Sequence, residues 1–421
     1  MICEKGKNSH MQNQVTINQH YVPRFYMKPF STVINEGTNK EKSFLSFYQF
    51  KNKILRDNVP ITSICSEDYF YDEDGHVESK LAEKETIWAK IIRKINDGEE
   101  VSGSDINTIR EFAIYQIIRT KAMLMHIQEM AAIILGDSLS NQHSELDKNV
   151  IQEMVGEKVK SEITPEFGLT IIKDLMPVVC DLDMVIIENK TTIPLITSDV
   201  PVIVTNPLGI RRAGLGDVGE VIFFPVSQWK LVMFYDNRFY GRIQKEVFDE
   251  ETIHIINKYQ YISADERILS LESSVFASYI ENKELNEIRE RFSSTPKTNT
   301  AFDGFGTFIA AKSRSLEYFY NIPILKLPKQ LRKIPKDFQE TFPREYSYEN
   351  RRALLCRIYR KPDFIKNEDQ VLHWKKRQEY SKVLLNYLDS YWQTPYEDRV
   401  ISGEYMHKLQ TVPVTQHKLS E

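Results

Sequence analysis

The order in which helical and strand-like stretches follow one another is the strongest constraint on how this chain can fold. Apolar residues recur at helical spacing from Val77 to Ile95, and again over a second, longer helix that extends to Leu135. Runs of β-branched and aromatic residues, split by turn residues, come after these helices at 183–188, 193–205, 221–226 and 230–235. Segregation of this kind predicts an α+β fold, with a helical N-terminal half packed with a central antiparallel or mixed sheet and a helical C-terminal extension.

Shorter elements are predicted around these stretches. Residues 16–30 are expected to be extended and then briefly helical, because Pro23 suits a first helical turn. Ser104 or Asp105 is expected to cap the long helix that ends at Leu135. Further helices are predicted at 137–180, 251–257 and 285–291, and strands are predicted at 44–50 and 69–71.

The chain of 421 residues is expected to hold a flexible start at 1–15, a core domain at 16–300 and a basic helical extension at 301–421. Residues 311–421 contain 21 Lys and Arg against 14 Asp and Glu, although the whole chain carries a formal net charge of −4. A basic segment of this kind can contact nucleic acid, or dock a protein partner or a second copy of the chain.

Several protein classes are disfavoured by the sequence. The first ten residues lack the apolar stretch of a signal peptide, and no run of about 18 apolar residues predicts a membrane span. The four cysteines stand far apart, as expected of buried thiols in a reducing compartment, so a cytoplasmic location without a membrane contact is predicted. Motifs of P-loop, dinucleotide-binding, nucleophile-elbow and zinc-protease enzymes do not occur.

Polar residues on predicted apolar faces are the first candidates for a site. Glu85 falls on the buried stripe of its helix, with Glu78 seven residues earlier near the same stripe. A buried carboxylate needs a partner, and Arg119 on the next helix could supply it, with Gln116 nearby. The alternative is that Arg119 and Glu85 form a purely structural pair that locks two helices.

Two further candidates lie outside these helices. His20, in an otherwise apolar segment, could be a general base, a metal ligand or a hydrogen-bonding core residue. Asp199 follows Ser198 at the end of a strand that looks buried, where a carboxylate serves no packing purpose. An Asx turn before Pro201, or a helix cap, would also explain Asp199.

Six sequence features together indicate a family: the segment Gln19-His20-Tyr21-Val22-Pro23-Arg24-Phe25-Tyr26-Met27, the run Tyr69-Phe70-Tyr71 with a following Glu-containing helix, Gln116-x-x-Arg119, Ile196-Thr197-Ser198-Asp199-Val200-Pro201, Phe224-Pro225-Val226-Ser227, and Asn257 before Ala264. Through these features the chain resembles an uncharacterised prokaryotic family, domain of unknown function 4238, over residues 17–270. The resemblance implies a shared scaffold and a shared site, without an established reaction.

Taken together, His20, Glu85, Arg119 and Asp199 predict a catalytic site for metal-assisted phosphodiester hydrolysis of a nucleic acid. Glu85 and Asp199 are the predicted ligands of Mg²⁺ or Mn²⁺, His20 is a further candidate ligand, and Gln116, Ser198 and Glu78 are supporting residues. Such an enzyme would suit a bacterial defence or toxin effector.

Two alternatives remain open at the level of sequence. One is a non-enzymatic module that binds nucleic acid or protein. The other is a metal-independent ribonuclease that uses Arg119 and His126, which are expected on one helix in an R-x6-H spacing.

Overall fold

The computed structural model describes residues 16–143, 147–207, 215–217, 219–293, 298–302, 307–311 and 321–326. Within these ranges the fold is α+β, as predicted, with a helical block that precedes most of the strands. Its helices are α1 (Arg24–Met27), α2 (His76–Asn96), α3 (Gly103–Ile118), α4 (Lys121–Gln142), α5 (Lys148–Glu162), α6 (Pro165–Thr170), α7 (Ile172–Val179), α8 (Asn237–Tyr240), α9 (Glu250–Ser263), α10 (Ala277–Ile280) and α11 (Lys283–Ser293).

The strands form two larger sheets and two small strand pairs. They are β1 (Asn18–His20), β2 (Thr32–Ile34), β3 (Lys42–Gln49), β4 (Ile54–Pro60), β5 (Ser66–Asp68), β6 (Asp183–Asn189), β7 (Thr197–Ser198), β8 (Ile203–Thr205), β9 (Val221–Ser227), β10 (Lys230–Tyr235), β11 (Glu246–Val247), β12 (Arg267–Ser270), β13 (Thr298–Phe302) and β14 (Thr307–Ala311).

One larger sheet is mixed and the other is antiparallel. The mixed sheet has the order β11-β6-β10-β9-β8, in which only β11 runs parallel to its neighbour. The second has the order β2-β3-β12-β7, with β4 also paired to β3. Strand β9 is buried along its whole length, as expected for a strand with packed layers on both faces.

Tyr26 of α1 connects the helical block to both sheets. Its ring stacks on Phe224 of β9 and meets the edge of Phe112 of α3. Its hydroxyl donates to the Pro225 carbonyl over 2.7 Å and lies 2.8 Å from Thr197 Oγ1 of β7. The N-terminal segment is therefore built into the main core, where each buried aromatic ring contributes about 1.5–3 kcal/mol of transfer free energy.

The predicted single helix from residue 104 to residue 135 is wrong, because the structure has two helices there. Helix α3 begins two or three residues earlier than expected, since Ser102 and Asp105 form a reciprocal capping box. It ends before Arg119, and the hydroxyl of Thr120 then caps α4 by accepting from the Met123 N–H over 3.2 Å. Arg119 and His126 therefore do not share one continuous helix.

A second correction concerns residues 69–71, which were predicted as a strand. Strand β5 ends at Asp68, and Tyr69 has a φ of 55°, in the left-handed region that breaks a strand. The chain is held at this bend because the Tyr69 N–H donates to the Ile17 carbonyl over 2.7 Å.

The other predicted features have mixed outcomes. Cys65 and Cys180 are buried and unbridged, as expected, whereas Cys3 and Cys356 lie outside the described residues. Strands β13 and β14 pair across the predicted boundary at 300/301, and β14 lies against α4. The flexible start at 1–15 and most of the basic helical extension also lie outside the described residues. Among the helices that the structure describes, none is both long and apolar enough to cross a lipid bilayer.

Candidate functional site

Arg119 lies at the junction between α3 and α4, with its side chain only 1% exposed. Its three guanidinium nitrogens donate in three directions, each over 2.8 Å: Nε to the Tyr71 hydroxyl, Nη1 to Glu85 Oε1, and Nη2 to the His20 carbonyl. Burial alone would disfavour the charged form, but Tyr71 and Glu85 outweigh it and raise the pKa of Arg119. The predicted contact between Arg119 and Glu85 is therefore present, in a site where the guanidinium stays charged.

Helix α2 brings two carboxylates to this arginine. Glu85 is the partner of Arg119 and keeps 27% of its side chain exposed, so the ion pair has a side that faces solvent. Glu78 stands seven residues earlier, which places it two turns away on the same helical face. Burial raises the pKa of Glu78, and the charge of Glu85 raises it further, whereas Arg119 and Arg24 lower it. Glu78 therefore lies within electrostatic range of Glu85.

His20 contributes both its main chain and its ring. The ring is half-buried, with Nε2 3.4 Å from the Ile61 carbonyl. Burial, together with the positive charges of Arg24 and Arg119, lowers the pKa of His20 to about 4, although hydrogen bonds to the main chain oppose the shift. The imidazole is consequently neutral at pH 7, and it can accept or donate a hydrogen bond without carrying charge.

These six residues, His20, Arg24, Tyr71, Glu78, Glu85 and Arg119, are called the Arg119 cluster below. Tyr71 and Arg24 did not emerge from the search for polar residues on apolar faces. Tyr71 is the buried acceptor for Arg119 Nε, and burial raises its pKa to about 12. Arg24 is exposed and acts on His20 and Glu78 through its charge. Their only signal in the sequence was their position inside two of the motifs that carry the family resemblance.

Buried amides fix the backbone around the cluster. The Gln19 side chain accepts from the Tyr71 N–H over 2.7 Å and donates to the Asp72 carbonyl over 2.8 Å. Gln116 on α3 donates to the Tyr21 carbonyl over 2.9 Å. The buried segments around the cluster are irregular, so some of their main-chain N–H and C=O groups have no main-chain partner. The side-chain amides of Gln19 and Gln116 bond these groups instead. Gln116 therefore has a supporting position, since it holds the chain directly after His20.

Asp199 forms a second, separate arrangement at the end of β7. One oxygen of its carboxylate accepts from the Asp265 N–H over 3.0 Å, and the other accepts from the Glu266 N–H over 2.6 Å. Burial, followed by the charge of Asp265, raises the pKa of Asp199 to about 7 despite these two hydrogen bonds. Ser198 is also bound locally, because its hydroxyl donates to the Val200 carbonyl and accepts from Gln260 Nε2.

The structure brings Glu85 and Arg119 into direct contact and adds the main chain of His20, but it gives Asp199 other partners. No hydrogen bond or ion pair of the described residues joins Asp199 to those three residues. Within the same ranges, no three His, Cys, Asp or Glu side chains are grouped so that they could hold a metal ion. The assignment of Glu85 and Asp199 as ligands of one metal stays a prediction.

Tyr21 lies between the two arrangements. Its N–H donates to the Cys65 carbonyl over 3.0 Å, and its own carbonyl accepts from Gln116. Burial raises the pKa of the Tyr21 hydroxyl, and interactions with Cys65 and Asp199 raise it further. The segment that starts at His20 therefore comes within electrostatic range of Asp199, although His20 itself makes no hydrogen bond to it.

Comparisons with known proteins place the chain in one family. Residues 18–274 match the family model DUF4238, described as a protein of unknown function. Neither the curated proteins nor the solved structures contain a match to the chain. The matched span covers all the residues of the Arg119 cluster, as well as Asp199. Because this span is more than half of the 421 residues, the protein belongs to the DUF4238 family.

Proposed function

We propose that this protein hydrolyses phosphodiester bonds of a nucleic acid at the Arg119 cluster, with the assistance of a divalent metal. The observation that carries the proposal is the placement of Glu78 and Glu85 two turns apart on one face of α2, with the buried Arg119 bonded to Glu85. Two carboxylates of one helix, one of them bonded to an arginine and the other not, can divide the roles of charge stabilisation and proton transfer. The cluster also has a solvent-facing side through Glu85, from which a polymeric substrate could approach.

The carboxylates fit Mg²⁺ or Mn²⁺ only as an ion that is shared with the substrate. Mg²⁺ in proteins is commonly held by one or two carboxylates together with substrate phosphates and water. Glu85 would supply such an oxygen, and His20 is a further candidate ligand because its imidazole is neutral. When bound, the ion would lower the pKa of a coordinated water and stabilise charge that develops on the phosphate. Asp199 is left out of this set, because both its oxygens accept main-chain hydrogen bonds.

Arg24, Arg119 and Glu78 have separate roles in this proposal. Arg24 is exposed and close enough to act on His20 and Glu78, so it would bind the non-bridging phosphate oxygens. Arg119 already donates to three partners, which makes it a positioning residue that orients Glu85. Glu78, whose pKa is raised by burial, would take up the proton of the attacking water.

The proposal is tested with purified full-length protein on labelled single-stranded and double-stranded RNA and DNA. Cleavage should require Mg²⁺ or Mn²⁺ and stop when EDTA is added. Glu78→Gln and Arg24→Gln should each lower the rate by about 10²–10⁴-fold, as expected for loss of general acid–base or charge-stabilising groups. Glu83→Gln, at an exposed position on the same helix, is the matched control and should leave the rate unchanged.

Two results would overturn this assignment. The first is a folded protein that cleaves none of the four substrates with either metal. The second is cleavage that persists unchanged in both Glu78→Gln and Arg24→Gln. Cleavage of RNA that resists EDTA and disappears in His126→Ala would instead support the metal-independent ribonuclease.

A non-enzymatic role is the second candidate, and one observation favours it. All three guanidinium nitrogens of Arg119 are bound to groups of the protein itself, as in a structural lock between helices. In this case the basic segment at 311–421 would bind nucleic acid, and binding without cleavage should weaken steeply with salt. A protein partner or a second copy of the chain would give salt-insensitive association instead.

We also propose a biological setting for this reaction. A nucleic-acid-cleaving enzyme of a prokaryotic family would act in the cytoplasm as a defence or toxin effector. Overexpression of the wild-type chain in a bacterial host should then slow growth more than overexpression of Glu78→Gln at the same protein level. Equal growth of the two cultures would contradict this setting without bearing on cleavage in vitro.

A further inference from the structure

The first turn of α2 is held by side chains that lie outside the helix. Gly75 precedes the helix in the left-handed region, with a φ of 75°, and it has no side chain with which to cap the free N–H groups of the first turn. Two carboxylates supply acceptors instead: Asp74 Oδ1 accepts from the His76 N–H over 3.0 Å, and Asp72 Oδ2 accepts from the Val77 N–H over 2.5 Å. The start of the helix therefore depends on two aspartates of the preceding turn.

Asp72 differs from Asp74 because it also bonds the segment that contains His20. Gln19 is fully buried, and its Nε2 donates to the Asp72 carbonyl over 2.8 Å and to Asp72 Oδ1 over 3.3 Å. The Asp72 N–H donates in turn to Gln19 Oε1 over 3.4 Å. Within the described ranges, no hydrogen bond joins Asp74 to Gln19. Asp72 therefore bonds both the residue before His20 and the start of α2.

Apolar packing and a further hydrogen bond connect the same two segments. The buried side chain of Val77 packs with Tyr71 in one apolar cluster. The Tyr71 hydroxyl donates to the His20 carbonyl over 3.4 Å. Since Glu78 directly follows Val77, two routes fix its main chain relative to that of His20.

We infer that Asp72 is a positioning residue, which holds the start of α2 and the His20 segment at the separation that the proposed hydrolysis requires. The inference rests on that proposed function, in which Glu78 takes up the proton of the attacking water and His20 is a candidate metal ligand. A misplacement of about 1 Å at a reacting group can lower a rate by about 10²-fold. Both carboxylate oxygens of Asp72 are bonded to protein groups, so it acts through these neighbours rather than on the substrate.

Cleavage kinetics of the full-length protein test the inference by comparing Asp72→Ala with Asp74→Ala. Each substitution removes one acceptor from the first turn of α2, so the two variants should unfold at similar urea concentrations. Asp72→Ala also breaks the link between the helix and the His20 segment, and it should lower kcat by about 10–100-fold with KM within about twofold of wild type. Asp74→Ala is the matched control, and it should keep the wild-type kcat and KM.

Asp72→Asn separates the hydrogen bonds of Asp72 from its charge. The amide oxygen can still accept from the Val77 N–H, and Gln19 keeps its shorter bond, which goes to the main-chain carbonyl of residue 72. Because asparagine and aspartate cap helices about equally well, the kcat of this variant should lie within about threefold of wild type.

Hydrogen–deuterium exchange measures the same link without any cleavage. Peptides that cover residues 17–22 should exchange faster in Asp72→Ala than in wild type, because Gln19 loses one of its partners. In Asp74→Ala these peptides should exchange at the wild-type rate. Equal exchange in all three proteins would mean that the Asp72 side chain does not hold the His20 segment, and would overturn the inference.

The kinetic outcomes distinguish this inference from the proposed function. If the wild-type protein cleaves no substrate, the proposed hydrolysis fails and the positioning role fails with it. If the wild type cleaves but Asp72→Ala keeps its kcat, or Asp74→Ala loses as much, only the positioning role is overturned. A raised KM at unchanged kcat in Asp72→Ala would also overturn it, since that result would assign Asp72 to substrate binding.

Discussion

Arg119 and Asp199 are both buried ionisable residues that hold distant segments together. The surroundings of Arg119 favour its charged form, whereas those of Asp199 favour its neutral form. Arg119 meets a carboxylate, a phenol and a carbonyl, and its pKa is raised, so its charge is retained. Asp199 receives two main-chain N–H groups while Asp265 adds a like charge, and burial raises its pKa to about 7. A counter-charge in direct contact keeps Arg119 ionised, whereas at Asp199 the two amide hydrogen bonds only partly offset burial and the like charge of Asp265.

Among the substitutions that test this difference, removal of the Arg119 side chain should change the free energy of unfolding most. Arg119→Met keeps the apolar stem but removes three hydrogen bonds and leaves Glu85 without its cation. We expect the free energy of unfolding in urea to fall by about 3–5 kcal/mol, as for other broken buried pairs. Arg93→Met, at an exposed position on α2, is the control. A loss below about 1 kcal/mol would mean that the Arg119 cluster does not hold the helices together.

The Asp199 arrangement should show its effect in the pH dependence of stability. The pKa of Asp199 is higher in the folded protein, at about 7, than the ordinary value of 3.8, so the unfolded chain loses this proton first as pH rises. Its contribution to stability should therefore be complete below about pH 4 and decline by about 2 kcal/mol between pH 5 and pH 7. Asp199→Asn cannot titrate, and its stability should lack this part of the slope.

Urea unfolding of wild type and Asp199→Asn at pH 5, 6 and 7 measures that difference. Carboxylates distant from Asp199 titrate equally in both proteins and cancel in the comparison, whereas Asp265 and Glu266, whose charges act on Asp199, belong to the difference that is measured. Asp68→Asn, at an exposed position, should keep the wild-type slope. If the two slopes were equal, the Asp199 carboxylate would be ionised throughout this range, and the contrast with Arg119 would disappear.

Sequence patterns predict some helices and strands of this fold correctly, and they miss some of the boundaries. The strands at 183–189 and 230–235 could be predicted, because β-branched and aromatic runs between turn residues have few other uses. The break at Thr120 could not, since apolar spacing continues through it from Phe112 to Met123. The Thr120 hydroxyl caps α4 at this boundary. A single capping residue does not interrupt the spacing of the apolar residues, so the spacing alone does not reveal the break.

The candidate site divides in the same way. The contact between Glu85 and Arg119 could be predicted, because a carboxylate and a guanidinium on neighbouring apolar faces have few other partners. The partners of Asp199 could not, because they are backbone N–H groups of Asp265 and Glu266, which carry no side-chain signature. Sequence patterns indicate that a buried charge must be satisfied, but they do not indicate whether a side chain or the backbone satisfies it.

Glu85→Gln should have the smallest effect, and it tests which feature of the Arg119 cluster matters. The amide oxygen can still accept from Arg119 Nη1, and the lost charge is 27% exposed, so the free energy of unfolding should fall by only about 1 kcal/mol. The charge of Glu85 is one cause that raises the pKa of Glu78, after burial, so the carboxyl resonance of Glu78 should titrate at lower pH in the variant. NMR titration measures the shift, with Glu83→Gln as the control on the same helix. An unmoved Glu78 midpoint would mean that the two carboxylates do not interact.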